Sequence, residues 1–322
     1  MKRRQVITGL LAVAAGGFAS RSRYDLGVAQ RITDNNSPYL DANDIDPPFF
    51  DPISDRENRN FSAPPIAPIE LTPSATLTTA THVAESPKIN KNIDFDRDYD
   101  DDLLISPEDR LLLVSVSLRL KKLQSTVGYG NFNIINFDDA LKFAKRFNQV
   151  GEFTLAEVNF IEKIFFNNAA EYGFYGEKVI SVLTTPIKKQ ETFKVPHTGH
   201  YLFKDQSFTY YNKIRKSVGE GIVLTSGIRS NVKQLDLFLA KVIRVKGNLS
   251  RASRSLAPPG YSYHGVGDFD VGRKNWGMKN FTDAFSSTNE FKRMQDLGYV
   301  DIRYDKGNTL GVRFEPWHIK VV

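Results

Sequence analysis

The stretch Tyr261-Ser262-Tyr263-His264-Gly265-Val266-Gly267-Asp268-Phe269-Asp270 carries one imidazole and two carboxylates. Gly265 and Gly267 break it ahead of Asp268-Phe269-Asp270-Val271, where acidic and apolar side chains alternate with the period of a strand. The expected local structure is a bend that enters a short strand. Further along, Glu315-Pro316-Trp317-His318 supplies a second imidazole and another carboxylate.

A catalytic zinc needs imidazole and carboxylate ligands, an open position for water and a base close by. His264, Asp270 and His318 could be the ligands, with Glu315 as the base. Asp268 competes with Asp270, because offsets of four and six from His264 both keep side chains on one face of an extended segment. Periodicity leaves that choice open. The glycine bend favours Asp270, since it uses up residues before the strand settles.

Working outward, residues 221–226 read as a buried strand, residues 232–245 as a helix and residues 288–297 as another helix stopped by Gly298. Residues 300–304 and 311–322 read as the arms of a hairpin turning at Gly307-Asn308. Upstream, Ser106-Pro107-Glu108-Asp109 is a helix start running to about Leu123. Phe137, Leu141, Ala144 and Phe147 mark a second helix. Thr154 with Glu157 makes a capping box for a third helix, toward Gly173. The fold class is α+β, an antiparallel sheet with flanking helices preceded by a helical segment.

Ser262-x-His264-x-x-Gly267…Asp270 followed by Glu315-Pro316-Trp317-His318 resembles the zinc D-alanyl-D-alanine carboxypeptidase/dipeptidase family. So does the segment Thr225-Ser226-Gly227-Ile228-Arg229-Ser230 with Gln234, and the likeness covers about residues 190–322. It implies the hedgehog/DD-peptidase fold, with Zn2+ held by His264, Asp270 and His318. It further implies Glu315 as general base then acid, and Ser262, Gln234 and Arg229 at the substrate, Arg229 also steadying the oxyanion. An ion pair after the strand is the other reading of Arg229. The family spaces its Asp seven positions after its first His with a small residue between, whereas Asp270 lies six after His264 and Phe269 fills that slot. The implied activity is D,D-carboxypeptidase action on peptidoglycan stem peptides. A non-catalytic zinc module of the same fold is the alternative, and the presence of Glu315 argues for catalysis.

Composition and the amino-terminal residues narrow the choice further. The 322 residues contain no cysteine and five histidines, which excludes disulfides, thiolate zinc sites and cysteine nucleophiles. Residues 1–19 combine Lys2, Arg3 and Arg4 with a short apolar run and small residues, the pattern of an export signal. The Arg3-Arg4 pair favours the twin-arginine route over the general one, to the periplasm or cell envelope. That run is too short to span a bilayer, so no stable membrane span is expected after its removal.

Residues 20–100 read as a disordered acidic linker. Nine of the fifteen prolines and no glycine fall within residues 31–100, whose charge is −7 against +9 for residues 101–322. The linker is expected to be a passive spacer dispensable for the chemistry, the alternative being a fold-back onto the basic body. A helical subdomain is expected over residues 101–189 and the peptidase domain over 190–322. Lys241, Arg244, Lys246, Arg251 and Arg254 read as a solvated face, or else as the lining of a cleft for an anionic peptide end. His197 and His200 read as hydrogen-bonding residues, and His82 has no assigned role. Basic charge alone, without a recognisable module, gives no reason to expect nucleic acid as a partner.

Overall fold

The computed structural model describes residues 91–322. The export signal, His82 and all of the linker before residue 91 lie outside the described residues. Among the described residues no helix is long and apolar enough to cross a membrane.

Ser106 Oγ accepts the Asp109 amide and Pro107 opens a 3-10 turn, which feeds α1, Arg110–Val127. Leu113, Val116, Leu120 and Leu123 fall on one side of α1 at helical spacing and are buried. Asn136 caps α2, Phe137–Arg146, whose first turn is acidic and last turn basic, in keeping with the helix dipole. The Thr154/Glu157 capping box opens α3, Leu155–Phe166, which ends before Gly173 and is followed by a 3-10 turn over Ala169–Tyr172. Glu157 also accepts from Ser115 Oγ and Arg119, tying α3 to α1.

Beyond these helices, β1 (Thr192–Lys194) and β2 (Tyr201–Phe203) form a small antiparallel pair. Then follow α4 (Thr209–Val218), β3 (Ile222–Ser226), α5 (Asn231–Arg244), α6 (Leu249–Ser253), β4 (Phe269–Arg273), α7 (Asn289–Asp296) and β5 (His318–Ile319). The second sheet runs β3-β4-β5, antiparallel throughout. Ser226 pairs with Asp270, and Asp270 pairs with His318. One rung of three strands therefore carries two residues singled out as ligands. A register irregularity between Leu224 and Ser226 adds a residue to β3 at Thr225.

Two large apolar cores and a small cluster of Ile134, Tyr201 and Ile228 hold the buried side chains. The larger joins Val116, Leu120 and Leu123 of α1 and Phe160 and Ile161 of α3 to Leu235, Phe238, Leu239 and Val242 of α5. The smaller packs Ile222, Leu224, Phe269, Val271 and Ile319 of the sheet against Tyr211 and Ile214 of α4. The helical segment thus shares its core with α5.

Two expectations change. The terminal hairpin reduces to one bridge, Ile302 to Ile319, and the ladder of β5 is made with β4. Residues 91–100, assigned to the linker from composition, are a run of turns bound to the body. Lys91 pairs with Asp101 at 2.6 Å, and Arg254 bonds the carbonyls of Phe95 and Arg97. Composition missed the Arg254 contacts because that partner lies about 150 residues away.

Candidate active site

β3 ends at Ser226, and Gly227 follows against the backbone of β2. A Cβ on Gly227 would sit 2.1 Å from the Tyr201 carbonyl oxygen, so only glycine permits that approach. The Gly227 carbonyl accepts from His264 Nδ1 at 2.8 Å, which fixes the ring and turns Nε2 toward Asp270. His264 itself sits in a 3-10 turn, Tyr263–Gly265, just before β4.

The ligand candidates converge. His264 Nε2 is 3.2 Å from Asp270 Oδ1, and His318 Nδ1 is 3.3 Å from the same oxygen. All three ligand atoms lie within 4.8 Å of one another, in side chains that are almost fully buried. His264 Nε2 and Asp270 Oδ1 are buried with no hydrogen-bonding partner. Orphaned polar atoms of this kind are costly unless something else occupies the space between them. Two ligands about 2.0–2.1 Å from a tetrahedral ion are separated by about 3.3 Å, so the donor set fits a zinc.

Asp268 is engaged elsewhere. Its Oδ2 accepts from Arg303 Nε at 2.6 Å and His318 Nε2 at 3.0 Å, and its Oδ1 from the Val321 amide at 2.8 Å. It stands behind His318 and leaves Nδ1 facing the cluster. The alternatives that strand period could not separate are thus assigned different positions by their partners.

Charge in the cluster is balanced around a cation. Burial and the Arg229 guanidinium push His264 down to about 4, so its ring is neutral and its lone pair is available. Burial alone would lower His318 too, but its hydrogen bond to Asp268 and the nearby charge of Asp270 raise it to about 9. Two carboxylates facing one ring favour positive charge there, whether a proton or a metal supplies it. Asp270 is held well below the usual carboxylate range by His264 and Arg229, against its own burial. At Glu315 burial outweighs the opposing charges of Arg313 and His318. Burial pushes its carboxyl up to about 7, with Oε2 4.0 Å from His318 Nδ1 and Oε1 3.8 Å from Arg313 Nε.

These groups face a cavity of about 390 Å³. Ser262, Gln234 and Arg229 line it together with His264, Asp270 and Glu315. Gln234 Nε2 donates to the Ala257 carbonyl at 2.5 Å, while its Oε1 is buried with no partner. Arg229 donates from Nη2 to Asp270 Oδ2 at 2.6 Å and from Nε to Ser226 Oγ at 2.8 Å, so the ion pair read as its alternative role is present.

The site agrees with a family match. Residues 206–322 match the model of VanY, D-alanyl-D-alanine carboxypeptidase. The carboxy-terminal region is VanY-like. Among solved structures the chain is similar to the LdcB LD-carboxypeptidase, with 27% identity over 40% of this chain and 63% of that one, at a TM-score of 0.34. It is also similar to VanY from a VanB-type resistance cassette with Zn(II), at 21% identity over 45% and 87% of the two chains and a TM-score of 0.34. For VanYB with D-alanine-D-alanine the figures are 23%, 45% and 86%, again at 0.34. The chain thus spans just under two thirds of LdcB. No curated protein matches the chain.

Around this VanY-like centre the structure adds residues the motifs did not name. Arg303 holds Asp268 and stacks 3.3 Å over the Tyr263 ring. Tyr304 is buried edge-on to His318, and its carbonyl accepts the Glu315 amide at 2.9 Å. Both lie in the segment read as a hairpin arm, where alternation signalled burial and nothing signalled the site. Among the described residues the His264, Asp270, His318 group is the one with metal-ligand proximity, and His197 and His200 are not part of it. Of the basic residues read as a solvated face, Lys241 and Arg254 are buried and Lys241 and Arg244 line the cavity, because the acidic turns before α1 lie against them.

Proposed function

We propose that the protein is an exported zinc peptidase that removes the terminal residue from D-alanyl-D-alanine ends of peptidoglycan stem peptides. The observation that carries the reading is the pair of orphaned atoms, His264 Nε2 and Asp270 Oδ1, facing His318 Nδ1 beside a buried Glu315. The VanY match and the export signal read at residues 1–19 support the substrate class and the compartment.

His264, Asp270 and His318 would hold the ion. When bound, zinc polarises the scissile carbonyl and brings the pKa of a water near neutrality. Glu315, raised to about 7 by burial, is matched to taking a proton from that water and delivering it to the leaving amine. Arg229 fixes Asp270 while lining the cavity, so its positive charge faces the oxygen on which negative charge develops. Asp268 holds His318 by Nε2 and keeps its other nitrogen toward the site. Gln234 Oε1 offers a buried acceptor to a peptide N–H.

The experiment is digestion of purified stem-pentapeptide muropeptides, with and without chelator, followed by mass analysis. The expected result is loss of one alanine residue, abolished by chelation and restored by zinc. Unchanged muropeptides with zinc-loaded protein would overturn the reading.

A further inference from the structure

Phe95 lies far before the VanY-matching residues, yet its ring lines the cavity that holds the ligand cluster. Its place is fixed by charge. Arg254 grips Asp102 with both prongs, Nη1 to Oδ1 at 2.7 Å and Nη2 to Oδ2 at 2.9 Å. The same guanidinium donates to the carbonyl of Phe95 at 3.0 Å and to that of Arg97 at 2.6 Å. Arg251 binds Asp96, and Asn248 donates to Asp98 and Asp102. Asp96, Asp98 and Asp102 are thereby turned to Asn248, Arg251 and Arg254, on α6 and at its ends. Of residues 91–102, Phe95 alone lines the cavity.

Phe95 also meets the machinery. The Arg313 guanidinium lies 4.6 Å from the Phe95 ring and 4.9 Å from the Trp317 ring, held by an aromatic face from each. Arg313 in turn has Nε 3.8 Å from Glu315 Oε1 and donates from Nη2 to the Phe281 carbonyl at 3.2 Å. A planar cation between two rings is restrained in orientation as well as position.

We propose that residues 91–102 are a fixed wall of the substrate cleft, and that Phe95 is a specificity-determining residue that bounds the cavity and positions Arg313 beside Glu315. The wall combines an aromatic face with Arg313, Lys241 and Arg244, a surface suited to a peptide that carries a carboxylate beside apolar atoms. Such a segment completes the cleft. An inhibitory tail would put its acids into the cavity, and here none of the acids of residues 91–102 lines it.

The inference rests on the peptidase reading, and the test separates the two. Affinity of the full-length, zinc-loaded protein for a synthetic peptide ending in D-alanyl-D-alanine is measured by calorimetry, alongside KM and kcat for its hydrolysis. Phe95→Ala is expected to weaken binding about three- to tenfold, through loss of aromatic contact and of the cation's second face. KM should rise with it, while zinc content and melting temperature stay unchanged. Phe95→Trp, which restores the face, should return affinity to within about twofold of the parent. Parent-like affinity in Phe95→Ala, or a lowered melting temperature with unaltered affinity, would overturn the proposal. Peptide binding without turnover in the parent protein would instead refute the peptidase reading, and the affinity comparison at Phe95 would still decide the wall.

Discussion

Replacing Asp268 by asparagine tests whether a carboxylate can govern a metal site without touching the ion. Its side chain is fully buried, and each neighbour that bonds it is a donor: Arg303, His318 Nε2 and the amides of Val321 and Val322. Asparagine keeps the shape, but its NH2 must face one of those donors, so at least one hydrogen bond becomes a repulsive contact. The charge that opposes Arg303 and supports His318 is lost as well. Loss of such an outer partner costs about 10–100-fold in metal affinity. At 1.36 kcal/mol per decade that is about 1.4–2.7 kcal/mol. Asp270→Ala removes a donor from the cluster itself and should cost more than about 100-fold, beyond the range of outer-partner effects. The assay is competition for zinc against a chromophoric chelator, with urea unfolding of each variant to separate folding from binding. Zinc affinity in Asp268→Asn within twofold of the parent would refute the reasoning. So would a greater loss in Asp268→Asn than in Asp270→Ala, which would make Asp268 the ligand.

Three further outcomes follow from the geometry. Glu315→Gln should retain zinc, measured by metal analysis, and lose about 10²–10⁴-fold in kcat on muropeptides, because it removes a proton acceptor outside the ligand set. Gly227→Ala should destabilise the fold by about 1–3 kcal/mol in urea unfolding and weaken zinc binding, since the added methyl displaces the carbonyl that holds His264. Asp102, which burial would raise, is held at about 2 by Arg254 and Asn248, so its contribution is complete above 3.8 and fades as pH falls through about 2. The stability gap between the parent and Asp102→Asn should therefore shrink from about 2 kcal/mol near neutrality as unfolding is followed down to about pH 2.

The site was legible where its residues stand in short runs. His264 and Asp270 share one segment, Glu315 and His318 another, and the chemistry of zinc selects those residue types. Choosing between Asp268 and Asp270 was beyond local pattern, because both occupy one face of the strand. Arg303 and the amides of residues 321 and 322 make the difference, and they are brought in by the bridge at Ile302. The acidic turns were misread for the same reason. A run of aspartates without apolar period resembles a solvated tether until Arg251 and Arg254 arrive from 150 positions away. Helix starts, by contrast, were visible in sequence because Ser106 and Thr154 act on amides three residues on.

The shared core sets a condition on taking this protein apart. The family match begins at residue 206, but Leu235, Phe238 and Val242 share one core with the buried faces of α1 and α3. A fragment trimmed to the match would present that greasy flank of α5 to water, and with it the helix that carries Gln234 and Lys241 to the cleft. Such a fragment would be prone to clump with its own kind, and recombination that moves the catalytic motifs to a new context must carry the preceding helices with them.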